Sequence, residues 1–220
     1  MKTIVLIHTT KSTLETYPHQ IEDSMGFPVR IYNMYDDFFA AVDESMPPRA
    51  KADLRIRRLR CFLEAAEIMQ ADAVVVACST ISLEAGRLRN AYCIPVLTMD
   101  DAMLEAATDR DGRIVVFATS PNPVPAVMQR LEAYAARKGK KVELELALCE
   151  EALPHLLSGD KASYKKAVLD YLPHMPSGDR VVLAQGSSAV LQKEIEAASR
   201  CPVYASPVYL IEQLRTILSD

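Results

Sequence analysis

Short runs of β-branched and aliphatic residues recur along the chain: TIVLIH (3–8), PVRIYN (28–33), AVVVAC (73–78), RIVVFAT (113–119), KVELELA (141–147) and RVVLAQ (180–185). Between them lie longer stretches in which apolar residues return every three or four positions. Over 50–70, residues Leu54, Leu59, Phe62, Leu63, Ala66 and Met69 fall on one side of a helical wheel. Helical spacing also covers 124–138, 164–172 and 188–199, and STISLEAG after Cys78 reads as a capped helix start. Strand runs that are apolar throughout, separated by helices, predict an α/β protein whose parallel strands are buried on both faces. The proline-rich SPNPVPAV (120–127) reads as a loop feeding a helix.

The pattern repeats. IVLIHTT from Ile4 matches IVVFATS from Ile114, 110 residues on; VVVACST from Val74 matches VVLAQGS from Val181, 107 on; PVLTMDDAM from Pro95 matches PVYASPVYL from Pro202, again 107 on. Three segments in one order at nearly one offset predict two similar α/β halves. The expected division is 1–97, completed by a C-terminal helix over 208–220, and 98–207. Each matching strand ends in a loop rich in hydroxyls: HTTKST, CST, ATS and QGSS.

Composition narrows the function. With 220 residues, half of them hydrophobic, the chain can bury a substantial core. A net charge of −4 gives no general footing for nucleic acid or an anionic membrane, so the expected partner is a small molecule. The opening MKTIVLIHTT carries an apolar run too short for a leader or a membrane span, and a cytoplasmic protein is expected. Five cysteines, at 61, 78, 93, 149 and 201, are widely spread without metal-ligand spacing; neither disulfides nor a metal site is expected.

Ligands of open parallel sheets bind beyond the carboxyl ends of the strands, and two facing halves are expected to share a cleft there. Thr9, Thr10, Ser79, Thr80, Thr119, Ser120, Ser187 and Ser188 are the candidate lining. Hydroxyls and backbone N–H groups at helix starts suit a carboxylate without help from lysine or arginine; the plain alternative for each hydroxyl is helix capping. Cys78 stands at a strand end before a helix start, a setting expected to lower a thiol pKa and fit it as acid, base or nucleophile. The other four cysteines lack this neighbourhood and read as structural.

The duplicated halves, VVVACST, and VVLAQGSSAVL followed by CPVYASPV together resemble the aspartate/glutamate racemase superfamily, whose relatives include hydantoin racemase, maleate isomerase and arylmalonate decarboxylase. The resemblance spans nearly the whole chain. It implies two pseudo-twofold-related, flavodoxin-like parallel-sheet halves with a ligand cleft between them, proton transfer at the α-carbon of a small carboxylate, no cofactor, and a homodimer. Racemases of this kind use one cysteine from each half on opposite faces of the α-carbon. Cys78 matches the first; the second position is Gln185, whose amide can serve neither as acid nor as base near neutral pH. HTT and ATS match the carboxylate-binding loops, with Asn122 at the place of a second threonine, and Gln185, Gly186 and Ser187 are the remaining candidate substrate contacts.

One cysteine can still protonate an enediolate from one face, as in a decarboxylase, or add to a double bond, as in a cis–trans isomerase. Racemisation needs another group, and His8 is the candidate, weighed against a strand-end histidine hydrogen-bonded to a neighbour. A relative that binds a carboxylate without turning it over is the non-enzymatic alternative. QGSSA is not a hydrolase elbow, and no dinucleotide or P-loop motif is present. The basic run RAKADLRIRRLR (49–60) reads mainly as the solvated face of a helix.

Overall fold

The computed structural model describes residues 1–39 and 46–219; Asp220, the end of the expected last helix, lies outside them. The chain forms two compact units, Met1–Asp101 with Pro207–Asp220, and Ala102–Ser206. In chain order the elements are β1 (Lys2–His8), α1 (Lys11–Ser24), β2 (Val29–Tyr35), α2 (Pro48–Ile68), β3 (Ala73–Val76), α3 (Ser82–Leu88), β4 (Val96–Thr98) and α4 (Asp101–Ala107). Then follow β5 (Gly112–Ala118), α5 (Val124–Arg137), β6 (Val142–Leu148), α6 (Leu153–Ser158), α7 (Lys161–Tyr171), β7 (Arg180–Leu183), α8 (Gln192–Ser199), β8 (Val203–Tyr204) and α9 (Ser206–Leu218).

Each unit holds a four-stranded, wholly parallel sheet, ordered β2-β1-β3-β4 in the first and β6-β5-β7-β8 in the second. The repeat extends to the register. Ile7 pairs with Val76 and Phe117 with Leu183; Val74 pairs with Val96 and Val181 with Val203. These are the spacings of 110 and 107 that the sequence carries. The apolar strand runs follow from burial on both faces. In the first unit, Ile4 and Leu6 of β1 pack with Tyr17 and Ile21 of α1 and with Leu210 and Leu214 of α9. Their alternate neighbours Val5 and Ile7 pack on the other face with Leu59 and Leu63 of α2 and Ala85 of α3. Burying each such side chain stabilises the fold by roughly 1.5–3 kcal/mol. Adding α9 to the first sheet's core explains why the final helix groups with the first unit. In the second unit, Val115, Phe117, Val181 and Leu183 pack with Tyr164 and Val168 of α7 and Ile195 of α8.

The basic run on α2 is divided between structure and solvent. Arg58 pairs with buried Asp36 at 2.6 Å and Arg55 with buried Glu84 at 3.7 Å, whereas Arg57 and Arg60 are exposed. The expected helix over 188–199 begins as a 3-10 turn, Gly186–Leu191, before α8. Met69, placed on the apolar side of α2, is exposed beyond that helix's end. Among the described residues no helix is long and apolar enough to cross a membrane.

Candidate active-site loops

Alternation along β3 decides where Cys78 sits. Val74 and Val76 face the α2/α3 side, and Cys78, two residues on with its backbone still extended (φ −154°, ψ 114°), packs against the same cluster. It caps the 3-10 turn Ser79–Ile81 that leads into α3. β1 runs beside β3, so Thr9, which follows its last residue, sits beside Cys78, and its hydroxyl acts to lower the thiol pKa. The backbone N–H groups of Thr80 and Ile81 and the Thr80 hydroxyl also favour the charged form of the sulphur, while the resting side chain makes no capping hydrogen bond to the turn. Backbone position is fixed as well: the Ser82 hydroxyl lies 3.0 Å from the Cys78 carbonyl and 3.2 Å from Asp100 Oδ1, which also accepts from the Thr98 hydroxyl. Thr98 and Asp100 carry no motif, and only the repeat containing VLTMDD marks their place; Ser82 lies in the STISLEAG helix start.

Burial pushes the Cys78 pKa up, and this outweighs the opposing pull of the Thr9 hydroxyl and the Thr80 and Ile81 amides. The expected lowering is therefore corrected. The donors at the turn are present and act in the anticipated direction, but the desolvation of a charged sulphur is the larger effect. Cys78 rests as a thiol.

His8 projects from the opposite side of β1, the side of Ile4 and Leu6. It is wholly buried, with Nδ1 3.2 Å from the Thr13 hydroxyl and Nε2 3.0 Å from Asn33 Oδ1. Burial lowers its pKa, with the Asn33 hydrogen bond acting the other way. The ring thus ties β1 to α1 and β2. Thr10 is exposed and caps α1, accepting from the Thr13 amide at 3.4 Å. Ser79 is buried and Thr80 half-buried.

The second unit places Gln185 as the counterpart of Cys78. Each follows a residue whose amide bonds to the neighbouring strand, Ala77 to Ile7 and Ala184 to Phe117, and each caps a 3-10 turn from an extended backbone (φ −136°, ψ 136° at Gln185). Thr119 is the counterpart of Thr9. The Gln185 side-chain oxygen accepts from the Thr119 amide at 2.7 Å, the Ser120 amide at 3.0 Å and the Thr119 hydroxyl at 3.1 Å. Only oxygen can stand there, because two of the donors are backbone N–H groups.

Thr119 and Ser120 are buried, and the Ser120 hydroxyl accepts from the Asn122 amide at 3.4 Å while Asn122 itself is exposed. Gly186 and Ser187 are half-buried at the start of their turn. Ser188 is fully buried and engaged with the Tyr164 hydroxyl at 3.0 Å, a structural use. Of the candidates, the first unit therefore gathers Thr9, Cys78 and Thr80 and the second gathers Thr119, Ser120 and Gln185. A groove at the amino end of the second sheet, lined by Gly112, Arg113, Glu143 and Asp179, is remote from these loops. Its Arg113 is tied to Glu143 and Glu145. Among the described residues no group of three or more histidine, cysteine or acidic side chains could hold a metal ion.

The family model for Asp/Glu/hydantoin racemases matches residues 4–214. The chain belongs to this family. Solved structures with the same fold include a glutamate racemase from Bacillus anthracis (TM-score 0.72, 18% identity, covering 99% of this chain and 82% of that one) and the allantoin racemase from Klebsiella pneumoniae (0.67, 16%, 100% and 88%). A glycine-to-cysteine mutant of arylmalonate decarboxylase in a sulfate-associated form is also similar (0.63, 17%, 98% and 93%). No curated protein matches the sequence. The family is one of racemases, its structural neighbours here are racemases and a decarboxylase, and the two four-stranded parallel sheets are the fold this chain shares with them.

Proposed function

We propose that the protein is a cofactor-independent enzyme that transfers a proton at the α-carbon of a small carboxylate, an amino acid or a dicarboxylate, with Cys78 as the acid/base. The observation that carries this reading is the place of Cys78 at the carboxyl end of β3, on an extended backbone before the 3-10 turn Ser79–Ile81, where the Thr9 hydroxyl and the Thr80 and Ile81 amides favour its charged form. A resting thiol is the correct form for a proton donor. As the S–H bond breaks and a C–H bond forms at the enediolate carbon, the thiolate left behind is met by the same donors, and solvent returns its proton. In the reverse direction the thiolate removes the α-proton.

A narrower reading within the same chemistry is favoured by Gln185. Its amide can act neither as acid nor as base near neutral pH, and its oxygen is engaged by Thr119 and Ser120. Protonation from one face only, as in a decarboxylase or another single-cysteine lyase or isomerase, needs no second acid. Binding of a carboxylate without turnover is the remaining alternative.

The test is α-proton exchange in D2O, followed by NMR, over a panel of small carboxylates that includes both enantiomers of aspartate and of glutamate. Exchange that disappears in Cys78→Ser supports the reading, and chiral analysis of the product separates racemisation from one-faced protonation. Full exchange in Cys78→Ser contradicts the role of Cys78. Thermal stabilisation by a compound that never exchanges points to the binding protein.

A further inference from the structure

The Thr119–Ser120 turn directs two backbone N–H groups and a hydroxyl at one point, and the point is filled by the side-chain oxygen of Gln185. Three donors converge on one neutral amide oxygen, and such donors bond about twice as strongly to a charged acceptor. Successive backbone N–H groups converging in this way form the concave nest that ordinarily receives an anion. The cradle is thus better matched to a carboxylate oxygen than to its present occupant.

We propose that Gln185 is a specificity-determining residue: from within the protein it occupies the oxyanion cradle of the Thr119–Ser120 turn and keeps a ligand carboxylate out of it. This deepens the proposed function and rests on it only in taking the ligand to be a carboxylate. The consequence is a narrower substrate class. A dicarboxylate that requires a second anion site at this turn is excluded, and a substrate whose carboxylate is held elsewhere, with a neutral group toward Gln185, is admitted. Among the described residues no acceptor takes the Gln185 amide nitrogen, and the residue is half-buried, which leaves its N–H groups to donate to that neutral group.

The experiment follows the Thr119 and Ser120 amide resonances of the full chain during titration with sodium acetate. In the native protein these resonances stay in place. In Gln185→Ala they shift saturably, with acetate bound about tenfold or more tightly than by the native chain, as hydrogen bonds to a charged group imply. Adding Thr119→Val to that variant weakens the effect. Saturable shifts of equal size in the native protein overturn the proposal, as does a folded Gln185→Ala whose two amides ignore acetate. Should Gln185→Ala fail to fold, Gln185→Glu supplies the test. Its new carboxyl is expected to titrate below the ordinary glutamate range because the amides favour the charged form; titration within or above that range overturns the proposal. Cys78-dependent exchange is read separately, so failure of the proposed chemistry leaves these amide shifts interpretable.

Discussion

The side-chain oxygen of Gln185 lies 2.7 Å from the amide nitrogen of Thr119. Where the first half sets a thiol beside a threonine hydroxyl, the second sets an amide that cannot titrate, and the neighbouring turn closes on it.

This contact has a stability consequence. Gln185→Ala leaves the Thr119 and Ser120 N–H groups without their acceptor, and a cost of about 1–3 kcal/mol is expected. Gln185→Glu, which retains an oxygen at the same reach, is expected to cost less. Chemical denaturation of the two variants side by side checks the ordering.

The Thr9 hydroxyl is the largest influence opposing the burial that raises the Cys78 pKa. Thr9→Val removes that hydroxyl and is expected to move the midpoint of Cys78 alkylation to still higher pH, with turnover falling roughly tenfold to a hundredfold. The pH profile of iodoacetamide labelling, read by mass spectrometry at Cys78, measures it. An unchanged midpoint contradicts that influence.

Two groups whose pKa shifts on folding give stability opposite pH limits. The His8 pKa is lowered on folding, so as pH falls below the ordinary histidine value of about 6.5 the unfolded chain takes up a proton that the folded one refuses, and stability declines. The slope contributed by this one group approaches about 1.4 kcal/mol per pH unit. The Cys78 pKa is raised, so its contribution is complete below the ordinary thiol value, about 8.5, and fades as pH rises beyond it toward the folded pKa. Unfolding free energies across this range, for the native chain and for His8→Gln, are expected to show the acid limb flattened in the variant.

Arg180 begins β7 fully buried and donates to the backbone carbonyls of Ala107, Arg110 and Asp111. It completes the carbonyls after α4 and lies at the strand end away from the loops. Arg180→Met is expected to destabilise the protein by about 3 kcal/mol or more, since removing a buried charged donor strands its acceptors. Residual folded enzyme should keep its activity per molecule.

The central strands are legible because burial on both faces writes an unbroken apolar run, as in Val74–Val76 and Val181–Leu183. The short edge strands β4 and β8 span only Val96–Thr98 and Val203–Tyr204 and carry too little pattern to register. Helix α1 is hidden by Pro18 within it and by its polar surface. Cys78 is legible from its neighbours in sequence, whereas its raised pKa depends on packing. His8 looks available in sequence; its Thr13 and Asn33 partners come from α1 and β2, brought together only by folding. Gln185 is legible as a departure from cysteine, but the direction of its side chain into the Thr119–Ser120 turn is a tertiary fact.

The most direct test is the rate of α-deuterium incorporation into whichever carboxylate the native protein exchanges, measured beside Cys78→Ala with binding followed on the same samples. Loss of at least a thousandfold in exchange with affinity changed by less than about threefold is the expected result, since a proton-transfer group contributes to the barrier more than to ground-state binding. Exchange that persists in Cys78→Ala at the native rate would contradict Cys78 as the acid/base and leave it a packing residue of the first unit's core.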